Sequence, residues 1–140
     1  MSSLAVTPMT LRRRAAELFA SSQRERDHDA TVSRLLLFYG VECRLKYEYL
    51  RRNNLRNTSD SNGGARAASE FKHDLLRLFD ALRLSRSDIA AEPAVRLRRD
   101  NAPVRLSQVH QAWRYGENLT DSPAIEKWLQ GLRYKLEGLP

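Results

Sequence analysis

Few side chains in this 140-residue chain are suited to chemistry: one cysteine and three histidines, set among 20 arginines and only 4 lysines. His73 is followed directly by Asp74. An imidazole titrates near neutral pH and can move a proton or hold a ligand, so this pair could line a pocket. Equally, His73 could bond across a helical core while Asp74 favours a helix start. Glu42 and Lys46 stand four residues apart, in the favourable order for a helical ion pair, which points to a solvated pair ahead of catalysis. Arg114-Tyr115 joins a forked phosphate donor to a ring that can stack on a base, or simply ends a helix. Cys43 falls on an apolar face and fits a buried structural thiol. One Cys and three scattered His lack the spacing of a four-ligand zinc site. No metal or other cofactor is expected.

The formal net charge of +7 suits contact with nucleic acid or another polyanion and says nothing of the fold. Three basic runs supply much of it: Arg12-Arg13-Arg14, Arg51-Arg52 with Arg56, and Arg96 with Arg98-Arg99. Each by itself is an ordinary wet face; together they favour nucleic acid only if they share one side of the fold. No run nears the ~20 apolar residues of a membrane span. The opening MSSLAVTPMT lacks a basic segment followed by a long apolar core. A cytoplasmic protein without membrane contact is expected.

These side chains must be positioned by helices. There are only six glycines and five prolines, and strand-like alternation is scarce, so the fold class is all-α. One domain spans 1–140. The longest element predicted is Ala30–Arg52, with one apolar face at Val32, Leu36, Tyr39, Cys43, Tyr47 and Leu50 and a second at Leu35, Phe38 and Leu45. At about 1.5 Å per residue it makes a rod of roughly 34 Å, along which shorter helices can pack. Met1 to Met9 is a loose lead-in, with Leu4 and Val6 able to tuck onto the bundle. A first helix starts at Thr7 or Thr10 with Pro8 just inside and buries Leu11, Ala15, Leu18 and Phe19. Residues 53–65, NNLRNTSDSNGGA, predict an exposed, disorder-prone loop. A third helix is expected from Ser69, buried through Phe71, Leu75, Phe79 and Leu82. Ser85 and Asp88 suit a short capped turn; EPAVRLRRD is extended or a further short helix. A fourth helix, capped by Asp100 or Asn101, carries Leu106, Val109 and Trp113 and stops at Gly116. A last one opens at Asp121-Ser122-Pro123 and buries Ile125, Trp128, Leu129, Leu132 and Leu136. The expected architecture is an antiparallel bundle of four to five helices around one long central helix, packed chiefly against the third and last.

Placed on those helices, certain words form a pattern: Tyr39-Gly40-Val41-Glu42-Cys43-Arg44-Leu45-Lys46 on the long helix, His73-Asp74-Leu75-Leu76 on the third, and Trp113-Arg114-Tyr115-Gly116 ending the fourth. In order and spacing, from about Ala30 to Leu136, they resemble the HEPN superfamily of small bacterial and archaeal helical bundles. That family contains metal-independent RNases, toxins of toxin–antitoxin pairs and antiviral defence effectors, along with members that bind nucleotides or partner proteins without cleaving. The resemblance implies a homodimer that binds RNA or a nucleotide, with a protein partner in a defence or toxin–antitoxin complex as a further option. It leaves open whether the chain is an enzyme.

The RNases of the family carry an arginine, four to six residues, then a histidine. Arg105 and His110 meet that spacing, as do Arg66 and His73; with 20 arginines in 140 residues, about one such pair arises by chance. Five residues along a helix separate two side chains by roughly 140°, and seven bring them back to one face, at ~100° per residue. Arg66 therefore meets His73 only if a helix already exists there. Arg105 meets His110 only through reach, a bend or a partner subunit. Leu106 also stands where the family usually has a polar residue after the arginine. If active, the resemblance implies RNA cleavage by 2′-hydroxyl attack, His110 moving the proton and Arg105 stabilising phosphate charge. Otherwise Arg105 is a solvated arginine and His110 a surface or packed histidine.

Overall fold

The computed structural model describes residues 4–140; the first three residues of the expected lead-in lie outside them. Thr7 caps α1 (Pro8–Glu25) by accepting from the Thr10 amide, with proline in the first turn. The buried face is Leu11, Ala15, Leu18, Phe19 and Ser22. After a short turn, Asp29 caps α2 (Ala30–Arg52) by accepting from the Val32 amide at 3.1 Å. The start of α1 and both bounds of α2 match the sequence expectation.

α1 folds back antiparallel onto α2, sealed by a reciprocal buried pair: Ser22 Oγ donates to the Ser33 carbonyl at 2.6 Å, and Ser33 Oγ to the Ser22 carbonyl at 2.7 Å. Further along, Gly40 faces the Phe19 ring, and a Cβ there would sit 2.6 Å from Phe19 Cε1. The helix axes approach closely because this residue has no side chain. The chief partner of α2 is thus α1, not the third or last helix.

The remaining elements are α3 (Leu75–Ala81), α4 (Val109–Arg114) and α5 (Ser122–Glu137), with single 3-10 turns at Ala68–Phe71, Arg86–Asp88 and Leu106–Gln108. The chain is all-α: among the described residues there is no β-strand, only isolated bridges. Three helices are substantial and two are short. α5 follows expectation: Asp121 accepts from the Ala124 amide, and Ile125, Trp128, Leu129, Leu132 and Leu136 are buried. At roughly 1.5–3 kcal/mol per large apolar side chain, that stripe alone fixes its docking.

Four expectations change. First, the buried line of α2 is Leu37, Phe38, Val41, Leu45, Tyr49 and Leu50. Val32 is exposed, and Leu35, Leu36, Tyr39, Cys43 and Tyr47 are half-buried. α1, α3, α4 and α5 all pack against α2, and the apolar residues counted as one face are covered only in part. Second, the third helix starts at Leu75, not Ser69. Lys72 adopts φ +52°, which breaks the helical path, and Asp74 becomes the cap. Third, Asp100 and Asn101 begin no helix. Val104 N–H donates to the Val95 carbonyl and Leu97 N–H to the Ala102 carbonyl, so the segment doubles back extended; α4 follows the 3-10 turn at Leu106. It still ends near Gly116, whose φ of +77° accompanies a Glu117 N–H bond to the Ala112 carbonyl, a glycine-terminated helix end. Fourth, the 53–65 loop is not wholly exposed. Leu55 and Thr58 are buried, and Thr58 exchanges hydrogen bonds with the Val6 backbone at 2.9 and 3.0 Å. Val6 does pack against the core; Leu4 is exposed.

Two helical glycines make opposite demands. Nothing lies within 4 Å of a Cβ built at Gly131 in α5. Gly131→Ala is expected to raise the unfolding free energy by about 0.5–1 kcal/mol. Gly40→Ala should lower it by about 1–2 kcal/mol, because the Phe19 ring must shift. Urea denaturation of the two variants checks this; stabilisation by both would contradict so close an approach of α1 to α2.

Candidate functional site

Tyr39, Glu42 and Lys46 share one face of α2 by their 3 and 4 residue steps. Opposite them, the chain entering α3 is pinned by buried Phe71 and turned by Lys72, which delivers His73 to α2. The third contribution is α4. Val109, Ala112 and Trp113 root it in the core, while His110 and Arg114, one turn apart, point to the same seam.

Glu42 is only 8% exposed, and both of its oxygens are engaged. Lys46 Nζ donates to Oε2 at 2.9 Å, and His73 Nδ1 lies 2.7 Å from Oε1. A carboxylate at that distance makes Nδ1 the donor, which leaves Nε2 without a hydrogen-bond partner among the described residues. The His73 side chain is 42% exposed, so solvent reaches this part of the seam. The ion pair of Glu42 and Lys46 is real but not solvated as expected. Spacing on a helix fixes neighbours, whereas depth depends on what packs above.

His110 lies behind His73, with ring centroids 4.1 Å apart, and stacks on Phe38 at 5.2 Å with a 28° interplanar angle. It is 2% exposed. Its Nδ1 meets no full hydrogen-bond partner among the described residues, although the nearby Ser107 backbone weakly favours its protonated form. Burial first, then the neighbouring His73, pushes its pKa from 6.5 down to about 4, against the pull of Glu42. His110 is therefore a neutral packed ring, poorly placed to exchange protons with a substrate.

Arg114 Nη2 donates to the Tyr39 hydroxyl at 2.8 Å, and the Tyr115 side chain lies close enough to strengthen its charge further. Tyr115 beside it is 75% exposed. Of the sequence candidates, Glu42, Lys46, His73, His110 and Arg114 converge on one seam and Tyr115 sits at its edge. Asp74 serves α3 instead, accepting from the Arg77 amide at 3.2 Å. Arg105 does not join His110: it is exposed, its backbone N–H bonds Gln108 Oε1 at 3.4 Å, and its guanidinium has no ion-pair partner among the described residues. Arg66 is in the loop, where no helix carries it to His73. Tyr39 was counted as core; its hydroxyl and its spacing of three before Glu42 were the available signal. Cys43, half-buried on the same helix, has its thiol pushed up to about 11 by burial and then by Glu42, consistent with an inert structural role. No described group of three His, Cys, Asp or Glu could hold a metal ion, and no described helix is long and apolar enough to cross a membrane.

No protein-family model matches the chain, and no curated protein or solved structure matches it.

The neutral state of His110 has a consequence for stability. Unfolded, the ring protonates near 6.5; folded, it resists until about 4. Between those values the unfolded chain binds more protons, so this contribution is complete above the upper value and lost as pH falls toward the lower. Each pK unit is worth about 1.4 kcal/mol, so the loss on reaching pH 4.5 is on the order of 2 kcal/mol. Denaturation at pH 7 and pH 4.5 should show that much more acid destabilisation in the wild type than in His110→Phe. Equal acid sensitivity of the two would contradict the assignment.

Proposed function

We propose that the chain is a HEPN-like protein of a bacterial defence or toxin–antitoxin setting that binds RNA or a nucleotide at the seam of α2, α3 and α4. The observation that carries this reading is Arg114, a guanidinium braced on the Tyr39 hydroxyl at 2.8 Å between accessible His73 and exposed Tyr115. A braced fork suits a phosphate, and an exposed ring suits a base. The resemblance in order and spacing of the E-C-x-L-K, H-D-L and R-Y words supports the family; the all-α fold is compatible with it.

A second reading has its own observation. The Glu42–His73 contact at 2.7 Å is the arrangement by which a carboxylate fixes a catalytic imidazole. In a metal-independent endoribonuclease, His73 Nε2 would take the proton of a 2′-hydroxyl as its oxygen attacks phosphorus and the P–O5′ bond breaks, leaving a 2′,3′-cyclic phosphate and a 5′-hydroxyl that takes its proton from water. Arg114 would balance the growing phosphate charge. Arg105 and His110 then have no catalytic part within one protomer.

Fluorescence anisotropy with a labelled single-stranded RNA tests binding. Affinity should fall with salt, with a log–log slope of about −0.7 per phosphate contact. Tyr115→Ala should weaken binding by about 1 kcal/mol or more, and Arg114→Ala should reduce the salt slope by roughly one contact. Salt-independent retention, or indifference to Arg114→Ala, would overturn the binding site. Incubation of RNA in EDTA tests the second reading: cleavage should be lost in His73→Ala and kept in Arg105→Ala. No cleavage at high protein concentration would remove it.

A further inference from the structure

A separate cleft lies further along α2, between its last turns, the 64–66 loop and α3. Its volume is about 470 Å³, and its walls include Tyr49, Asn53, Arg66, Phe71, Arg77 and Arg83. None of the three arginines has a carboxylate partner among the described residues, and none of their guanidiniums donates a hydrogen bond there. Of the other 17 arginines, nine hold carboxylates: Arg14, Arg34, Arg44, Arg51, Arg52, Arg56, Arg86, Arg99 and Arg133.

What holds two of the three is an aromatic ring. The guanidinium carbons of Arg66 and Arg77 lie 5.8 and 5.6 Å from the centroid of Phe71, which is packed edge-on against Tyr49 at 5.1 Å. A cation–π contact orients a guanidinium without using its N–H donors. Arg83 lines the cleft from a backbone at φ +60°. The one acidic wall residue, Asp80, is neutralised by a two-pronged bond to Arg86 at 2.7 and 2.8 Å. Glu70 nearby has an oxygen on the Ala67 amide. The cleft therefore presents three charged forks with free donors and little opposing charge.

We infer that the Arg66–Arg77–Arg83 cleft is an anion site that receives the phosphates of a nucleotide or RNA chain. Phe71 and Tyr49 are both buried, so no ring is exposed to stack a base. The cleft reads phosphate and is indifferent to base identity. It is distinct from the Arg114 seam and does not depend on that seam being functional.

The test is an NMR titration of isotope-labelled protein with inorganic pyrophosphate, ADP, UDP and an oligouridylate, following arginine Nε–H signals. Pyrophosphate should shift Arg66, Arg77 and Arg83 saturably, and ADP and UDP should bind within about threefold of each other, less than 1 kcal/mol apart. Tighter binding of the nucleotides assigns the cleft to a free nucleotide, and tighter binding of the oligouridylate assigns it to an RNA chain. Combined Arg66→Gln, Arg77→Gln and Arg83→Asn substitution should lower pyrophosphate affinity at least about tenfold, roughly 1.4 kcal/mol, with an unchanged melting temperature. Asparagine is chosen at position 83 because it tolerates positive φ. Arg13→Ala, which removes one charge from an exposed part of α1, should leave the affinity unchanged. Unmoved cleft signals, or equal loss in Arg13→Ala, would overturn the site. Because pyrophosphate is read directly, failure of RNA binding at Arg114 would leave this result standing, and the reverse also holds.

Discussion

A single buried carboxylate organises the functional half of the molecule. Glu42 is nearly excluded from water, and a buried charge is tolerable only when paired and hydrogen-bonded. One oxygen is met by Lys46 from its own helix, the other by His73 from the chain that enters α3. The first contact is local and would exist in an isolated helix. The second spans 31 residues and ties the lead-in of α3 to the middle of α2. Removing one partner of such a group typically costs about 3–5 kcal/mol, which sets the scale of this anchor. The orientation of His73 and the cover over His110 follow from where Glu42 holds that loop.

The other half of the structure makes this depth achievable. α1 lies close along α2 because Gly40 offers no side chain to Phe19, and because the two serines satisfy each other's buried hydroxyls and carbonyls. With one side of α2 covered, the opposite side can carry polar groups without exposing the core. Glu48 follows the same logic at the C-terminal end, where Arg44, Arg51 and Arg52 surround an oxygen pair that is 1% exposed. Two buried glutamates on one helix, each answered by basic residues, account for part of the arginine excess. The three cleft arginines differ in lining one cleft together, with no carboxylate partner among the described residues.

Local signals were legible in the residues, and tertiary ones were not. Thr7-Pro8, Asp29 and Asp121-Ser122-Pro123 mark helix starts by chemistry that acts within four residues, and α1, α2 and α5 begin where those caps stand. The stripe of α5 was readable because one face of it is buried. α2 is covered from several directions, so its face could not be picked from periodicity alone. The start of α4 depends on Val95 pairing with Val104, and that of α3 on a left-handed Lys72; neither leaves a mark in local composition. His73 and His110 are 37 positions apart in the numbering, and only packing brings their rings together. Arg105 failed to reach His110 for the opposite reason, since an extended approach into a 3-10 turn leaves it on the surface.

The most direct measurement of the central interaction is the tautomer of His73, read from its ring nitrogen shifts in long-range proton–nitrogen correlation spectra at a pH where the ring is neutral. With Glu42 in place, the proton should reside on Nδ1, and Glu42→Leu, which leaves no acceptor there, should abolish that preference. A neutral His73 protonated on Nε2, or a preference indifferent to Glu42→Leu, would mean that the carboxylate does not hold the imidazole, and the seam between α2, α3 and α4 would lose the anchor on which its chemistry rests.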